Sequence, residues 1–240
     1  MKSLITQVQH INQQSLSISG SLVQLAQLTT NREISVAGSF AIKAHHGQVR
    51  KYTEVPYITH TIAVSSIVAL VTTDTAMLQA ALLHDTVEDT AVTLEEINAT
   101  FGSDVAELVL GLTDDKQSTA GKEAVVAFKA TNHGLTSRQL KKHLVRLKRS
   151  TEKSQDRERL AASSSRVQTI KLADLIHNTF SIAMHDPDFA RVYLAEKALL
   201  LEAMTKGDPQ LRDVARVILG DGLREAGGTR SAMTSMSAFI

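Results

Sequence analysis

ALLHDTVEDT, residues 81 to 90, is the stretch from which the rest of the chain is read. Ala81, Leu82 and Leu83 close an apolar run that begins near Thr75, with Asp74 placed as an N-cap. The run predicts a buried helix from Thr75 to Asp85. His84 and Asp85 then set two metal-capable side chains at its end. Buried charge needs a counter-charge or a metal. Glu88 and Asp89 follow four residues later, at the spacing that stacks side chains on one helical face. One imidazole and three carboxylates therefore gather within about one turn. Taken alone, the string fits equally well a solvated helix end with capping acids.

Two further strings share its character. KLADLIHN, Lys171 to Asn178, has Leu172, Ala173, Leu175 and Ile176 on a buried helix, yet Lys171, Asp174 and Asn178 share one face at i, i+3, i+7. A buried Asp on an apolar helix needs compensation, by a salt bridge or by a metal. RKYTEVPYITH, Arg50 to His60, places two cations before a Pro-containing loop and a His at a helix start. A helix N-terminus with Arg and Lys nearby suits an anion such as phosphate. Together the strings offer two His and two Asp for a divalent ion, two further acids and two cations. Mixed imidazole and carboxylate ligands suit manganese, iron or zinc rather than calcium.

The frame around them is all-α. Of 240 residues 43% are apolar but only 4% aromatic, with no Trp and three Pro, so the core is built from Leu, Val, Ile and Ala. Helices are expected over Glu33–His46, His60–Val71, Thr93–Phe101, Asp104–Leu112, Arg138–Leu160 and Ser165–Met184. Two more start at Asp186-Pro187 and Asp208-Pro209, each with an Asp cap before the Pro. Arg50 to Ile58 reads as a loop, and Thr113 to Asn132 is ambiguous. The sum is a bundle of roughly eight to ten helices. Residues 1–31, rich in Gln, Ser and Thr and interrupted by Gly20, read as an N-terminal extension of uncertain order. Residues 32–219 form the main domain, and 220–240 read as a mobile tail.

With no Cys, disulfides, thiol nucleophiles and zinc ribbons are excluded. A net charge of +1 implies no general attraction to nucleic acid or membrane. The charge is uneven: nine Lys or Arg lie between Arg138 and Arg159. That segment reads as a solvated helix face, a flank that draws in a polyphosphate, or an RNA contact. No secretory signal or apolar run of membrane-spanning length is seen, so the cytoplasm is the expected compartment.

AHHGQVRKYTEVPYITH, ALLHDTVEDTAVTLEEINATFGSDVAELVLGLTDD and IKLADLIHN resemble the hydrolase domain of RelA/SpoT-type alarmone enzymes, above all the stand-alone small alarmone hydrolases of the bacterial single-domain branch. The similarity spans about Glu33 to Leu219. It implies an HD-domain helical bundle, one manganese ion, and removal of the 3′-pyrophosphate from (p)ppGpp or (p)ppApp. It places metal ligands at His60, His84, Asp85 and Asp174, catalytic acids at Glu88 and Asp89, and substrate contacts at Arg50, Lys51 and Asn178. The implied partner is a small nucleotide. No stable nucleic-acid partner, membrane, synthetase or regulatory domain is expected, and a hydrophobic bundle face leaves room for a homo-oligomer.

Three positions depart from the family pattern. Leu175 stands where many members carry Arg or Lys, Thr61 replaces a usual Pro, and Lys116 to Lys171 matches the bifunctional enzymes poorly. Two other functions share these residues: a phosphohydrolase acting on another phosphorylated nucleotide such as NADPH, and a catalytically silent nucleotide-binding regulator. His45 and His177 read as structural core histidines, and Tyr57 as a residue that packs or hydrogen-bonds within its loop rather than reacts.

Overall fold

A computed structural model describes residues 2–114, 119–131 and 136–225. Its elements are helical: α1 Lys2–Gln14, α2 Ile18–Leu28, α3 Arg32–Ala44, α4 Ile58–Val68, α5 Thr75–Leu83, α6 Thr86–Asp89, α7 Leu94–Phe101, α8 Ser103–Leu112, α9 Ala120–Thr131, α10 Ser137–Ala162, α11 Ser165–His185, α12 Pro187–Ala203 and α13 Pro209–Glu225. The all-α expectation holds, with more helices among the described residues than the expected eight to ten.

The expected caps form. Asp74 accepts from the Met77 N–H and Thr93 from the Glu96 N–H, each offering one orphan donor of a first turn a partner. Asp186 accepts from the Phe189 N–H ahead of Pro187, and Asp208 from the Gln210 and Leu211 N–H groups. Gly102 separates α7 from α8 at φ 86°, a left-handed backbone that favours glycine. The loop between α3 and α4 is pinned by an antiparallel bridge from Val49 to Pro56.

Several boundaries differ from expectation. Within 1–31 the chain forms α1 and α2, because Leu4, Val8 and Ile11 bury on one face of α1. Gly20 does not break this unit. A Cβ there would collide with the Gln14 carbonyl oxygen, so glycine lets the first turn of α2 approach the end of α1. The ambiguous stretch after Thr113 holds α9, packed so closely on α10 that a Cβ at Gly121 would meet Glu152 and Lys148. The last helix runs past Leu219 to Glu225, so residues 220–225 are helical; the rest of the expected tail, 226–240, lies outside the described residues. Finally, α5 stops at Leu83, and His84 and Asp85 occupy a corner before α6.

α11 runs through the centre and packs against α4, α5, α8, α10, α12 and α13. Val167, Ile170, Leu172, Ala173, Leu175 and Ile176 are buried on it. Leu172 is fully enclosed, and its methyl group lies where a Cβ on Gly207 would have to go. Leu172→Ala is expected to cost about 3 kcal/mol of stability, as enclosed leucines do when a cavity is left. Urea unfolding measures it; a loss under about 1 kcal/mol would mean that the bundle collapses into the space.

Candidate metal centre

Three parts of the bundle supply one cluster: the first turn of α4, the corner between α5 and α6, and the middle of α11. His60 Nε2 lies 3.3 Å from Asp85 Oδ2 and 3.3 Å from Asp174 Oδ1. His84 Nε2 lies 3.1 Å from Asp85 Oδ2 and 3.8 Å from Asp174 Oδ1. Donor atoms of His60, His84 and Asp174 all fall within 4.8 Å of one another.

Both Nε2 atoms are buried and lack a hydrogen-bond partner. Such atoms are rare in folded proteins and ask for an explanation. His84 supplies part of one. Its Nδ1 donates to the Ala81 carbonyl at 2.8 Å, which leaves Nε2 as the ring atom turned to the cluster. Two imidazole nitrogens and the Asp174 carboxylate gathered this closely, with Asp85 against both rings, fit a divalent cation.

The electrostatics suit a cation equally. Burial alone would raise Asp85 and Asp174, but their neighbours hold both well below the usual carboxylate range: His84, then the contact with His60, for Asp85, and Lys171, then the contacts with the two imidazoles, for Asp174. Burial would lower His84, yet Asp85 and Asp174 push it up to about 10. Lys171 Nζ sits 2.9 Å from Asp174 Oδ2 and is raised, despite its burial, by that carboxylate.

A polar shell orients the cluster. Tyr57 donates its hydroxyl to Asp85 Oδ2 at 2.7 Å, and its ring stacks on His45 with centroids 4.9 Å apart. His45 Nδ1 meets Gln48 Oε1 at 2.8 Å, and Gln48 Nε2 donates to the Asp89 carbonyl at 2.7 Å, tying the loop to α6. Asn178 Nδ2 donates to Asp174 Oδ1 at 2.5 Å, and Arg50 Nη2 donates to Asn178 Oδ1 at 3.0 Å. Arg50, Asn178 and Asp174 thus form one chain from loop to cluster.

Glu88 is half-buried and accepts from the Asp114 N–H at 3.3 Å. Burial, then the Asp114 charge, raises its carboxyl. Asp89 is exposed beside it on α6. Lys51 stands apart: it is exposed, donates to the Tyr52 hydroxyl at 3.0 Å, and that hydroxyl donates to Asp186 Oδ2 at 2.9 Å.

Three residues near the cluster escaped the sequence analysis or were given another role. Tyr57 hydrogen-bonds as expected, but to Asp85 outside its loop. His177 Nδ1 lies 2.8 Å from His60 Nδ1. Lys197, on α12, is lowered to about 8 by burial and by Lys171. A lysine inside the apolar run VYLAEKALLL was its available signal.

The HD-domain family model matches residues 37–201, a span holding all four cluster residues. The chain belongs to the HD-domain family. Curated relatives within reach of this HD domain include the guanosine-3′,5′-bis(diphosphate) 3′-pyrophosphohydrolase of Xenopus tropicalis. It is 53% identical over 83 residues, which is 33% of this chain and 46% of that protein. A protein of the same activity name from Vibrio cholerae is 54% identical over 70 residues, 29% of this chain and 10% of that protein. The chain spans less than half the length of the curated relatives it matches. Among solved structures the HD domain is similar to one described as a metazoan ortholog of SpoT that hydrolyses ppGpp and plays a role in starvation responses. The TM-score is 0.62 at 27% identity, covering 83% of this chain and 98% of that one.

Proposed function

We propose that this HD-domain protein removes the 3′-pyrophosphate from alarmone nucleotides, (p)ppGpp, (p)ppApp or both, releasing pyrophosphate and GDP/GTP or ADP/ATP. The reading assigns a single manganese ion to His60, His84, Asp85 and Asp174. The observation that carries it is the convergence of two unpartnered imidazole nitrogens and two carboxylates from three separate helical elements. The activities by which the relatives and the similar structure are described support the substrate class. Manganese is the choice within the ions that such mixed ligands suit. Residues 32–219 are read as the catalytic unit. No described helix is long and apolar enough to cross a membrane, and the cytoplasm is the proposed site of action.

An ion held by these residues supplies Lewis acidity toward the phosphoryl group under attack. The chain's own groups do the rest. Glu88 is the proton acceptor for the attacking water: its raised carboxyl lies closer to neutrality, where a general base works best. Asp89, exposed next to it, orients that water. Arg50 offers a planar fork to phosphate oxygens, and Asn178 keeps the guanidinium aligned with Asp174 while contacting the ribose. Lys51 adds charge at the rim, released from Tyr52 when a polyphosphate arrives. Tyr57 fixes the Asp85 carboxylate.

Incubation with both alarmone types in manganese, followed by nucleotide chromatography, tests the reading. Pyrophosphate and the matching nucleotide are expected. Orthophosphate released from NADPH, without alarmone turnover, would move the protein to another phosphohydrolase class. Tight alarmone binding without turnover would make it a regulator.

The pH profile follows from the sign of one shift. Glu88 must be ionised to take a proton, so kcat rises with pH through its raised pKa. The acidic limb should therefore lie above the ordinary glutamate range. Asp114→Asn removes one raising charge and should move the limb to lower pH, measured at saturating manganese. An unmoved limb would mean that another group controls it.

A further inference from the structure

Behind His60 a line of hydrogen bonds leaves the ion site and ends in the N-terminal helices. His60 Nδ1 lies 2.8 Å from His177 Nδ1, and His177 Nε2 lies 2.9 Å from Ser15 Oγ. Ser15 Oγ in turn donates to the Asn12 carbonyl at 2.6 Å. All three side chains are buried. The hairpin that presents Ser15 is held in place: Gln24, buried on α2, donates to the Ile11 carbonyl at 2.8 Å and to Gln14 Oε1 at 3.2 Å. Ser15 lies outside the segment that the HD-domain model matches.

The polarity of this line can be read from either end. A carbonyl oxygen only accepts, so the Ser15 hydrogen points to Asn12, and Ser15 Oγ must accept from His177 Nε2–H. At the other end, an imidazole that lends Nε2 to an ion carries its hydrogen on Nδ1. His60 Nδ1–H then donates, and His177 Nδ1 must be bare. The two readings demand the same His177: a neutral ring with its hydrogen on Nε2. Were that hydrogen on Nδ1, it would donate to His60 and force the His60 hydrogen onto Nε2, between the ring and the ion.

We infer that Ser15 is a positioning residue for the ion site, setting the tautomer of His60 through His177. The inference rests on His60 being an ion ligand, as proposed above. It makes α1 and α2 part of the working unit rather than an appendage, since the hydroxyl that completes the line comes from the turn between them.

The test uses the full chain labelled with 15N at histidine. In the metal-free protein, His177 should show the hydrogen on Nε2 and a bare Nδ1. Ser15→Ala removes the acceptor, so the other His177 tautomer should appear, and manganese affinity should fall about tenfold, the lower end for a lost outer-shell partner. Ser15→Thr, which keeps a hydroxyl, should restore both. The inference is overturned if wild-type His177 carries its hydrogen on Nδ1, a result that needs no variant to fold. It is also overturned if Ser15→Ala keeps both the tautomer and, within about twofold, the affinity. A chain that takes up no manganese at all overturns the proposed function and the role of the line with it. Normal uptake with His177 in the other tautomer overturns the line alone.

Discussion

Asp85→Ala should leave the protein without bound manganese and without turnover. Asp85 Oδ2 lies against both imidazoles, 3.3 Å from His60 Nε2 and 3.1 Å from His84 Nε2, nearer to His84 than Asp174 Oδ1 at 3.8 Å. Removing it takes away a ligand and the anion that holds His84 in place. Tyr57 also loses its acceptor. A Lewis acid contributes several kcal/mol to such a reaction, and each ~1.4 kcal/mol is a factor of ten, so turnover should fall roughly 10³-fold or more. The fold should survive, because the apolar walls of α4, α5 and α11 are untouched. Elemental analysis after dialysis, circular dichroism and an alarmone turnover assay together measure this. A folded Asp85→Ala protein that keeps one ion at wild-type affinity would sink the ligand assignment.

The same corner shows how far the sequence could be read. The apolar run into His84 announced a buried helix end, and the isolated Asp174 on an apolar helix announced a compensated charge. Both follow from the cost of burying polar groups, which composition and period reveal directly. What period could not reveal was the break at Leu83. α5 ends there, and His84 turns its Nδ1 back to the Ala81 carbonyl while Nε2 faces residues from α4 and α11, contacts that local sequence does not announce. Glu88 and Asp89 therefore share a short separate helix rather than one face with His84 and Asp85.

The N-terminal helices were illegible for a different reason. The apolar residues of α1 are sparse among Gln and polar neighbours, so α1 gains its order from tertiary packing more than from propensity. Gln24 reaches back to the Ile11 carbonyl, and Ser15, bonded locally to Asn12, meets His177 only through the fold. Lys51 shows the converse limit. Beside Arg50 in sequence, it sits in a turn and bonds to Tyr52, whose hydroxyl reaches Asp186, so adjacency to Arg50 does not bring it to the cluster.

Glu88→Gln separates ion binding from proton transfer. The amide keeps the length of the side chain and an oxygen able to accept from the Asp114 N–H, so the local packing should persist. The proposed ion site gives Glu88 no ligand role, so ion content should match wild type. What disappears is the basic carboxylate. General-base catalysis contributes about 10²–10⁴-fold, and kcat should fall by that amount with little change in KM, since the interaction is made on the way to the transition state. Asp85→Ala and Glu88→Gln should then differ in kind: one protein empty of metal, the other loaded but slow. If Glu88→Gln turns over at the wild-type rate, the proton must go elsewhere, and Asp89, exposed on the same short helix, is the next carboxylate to test.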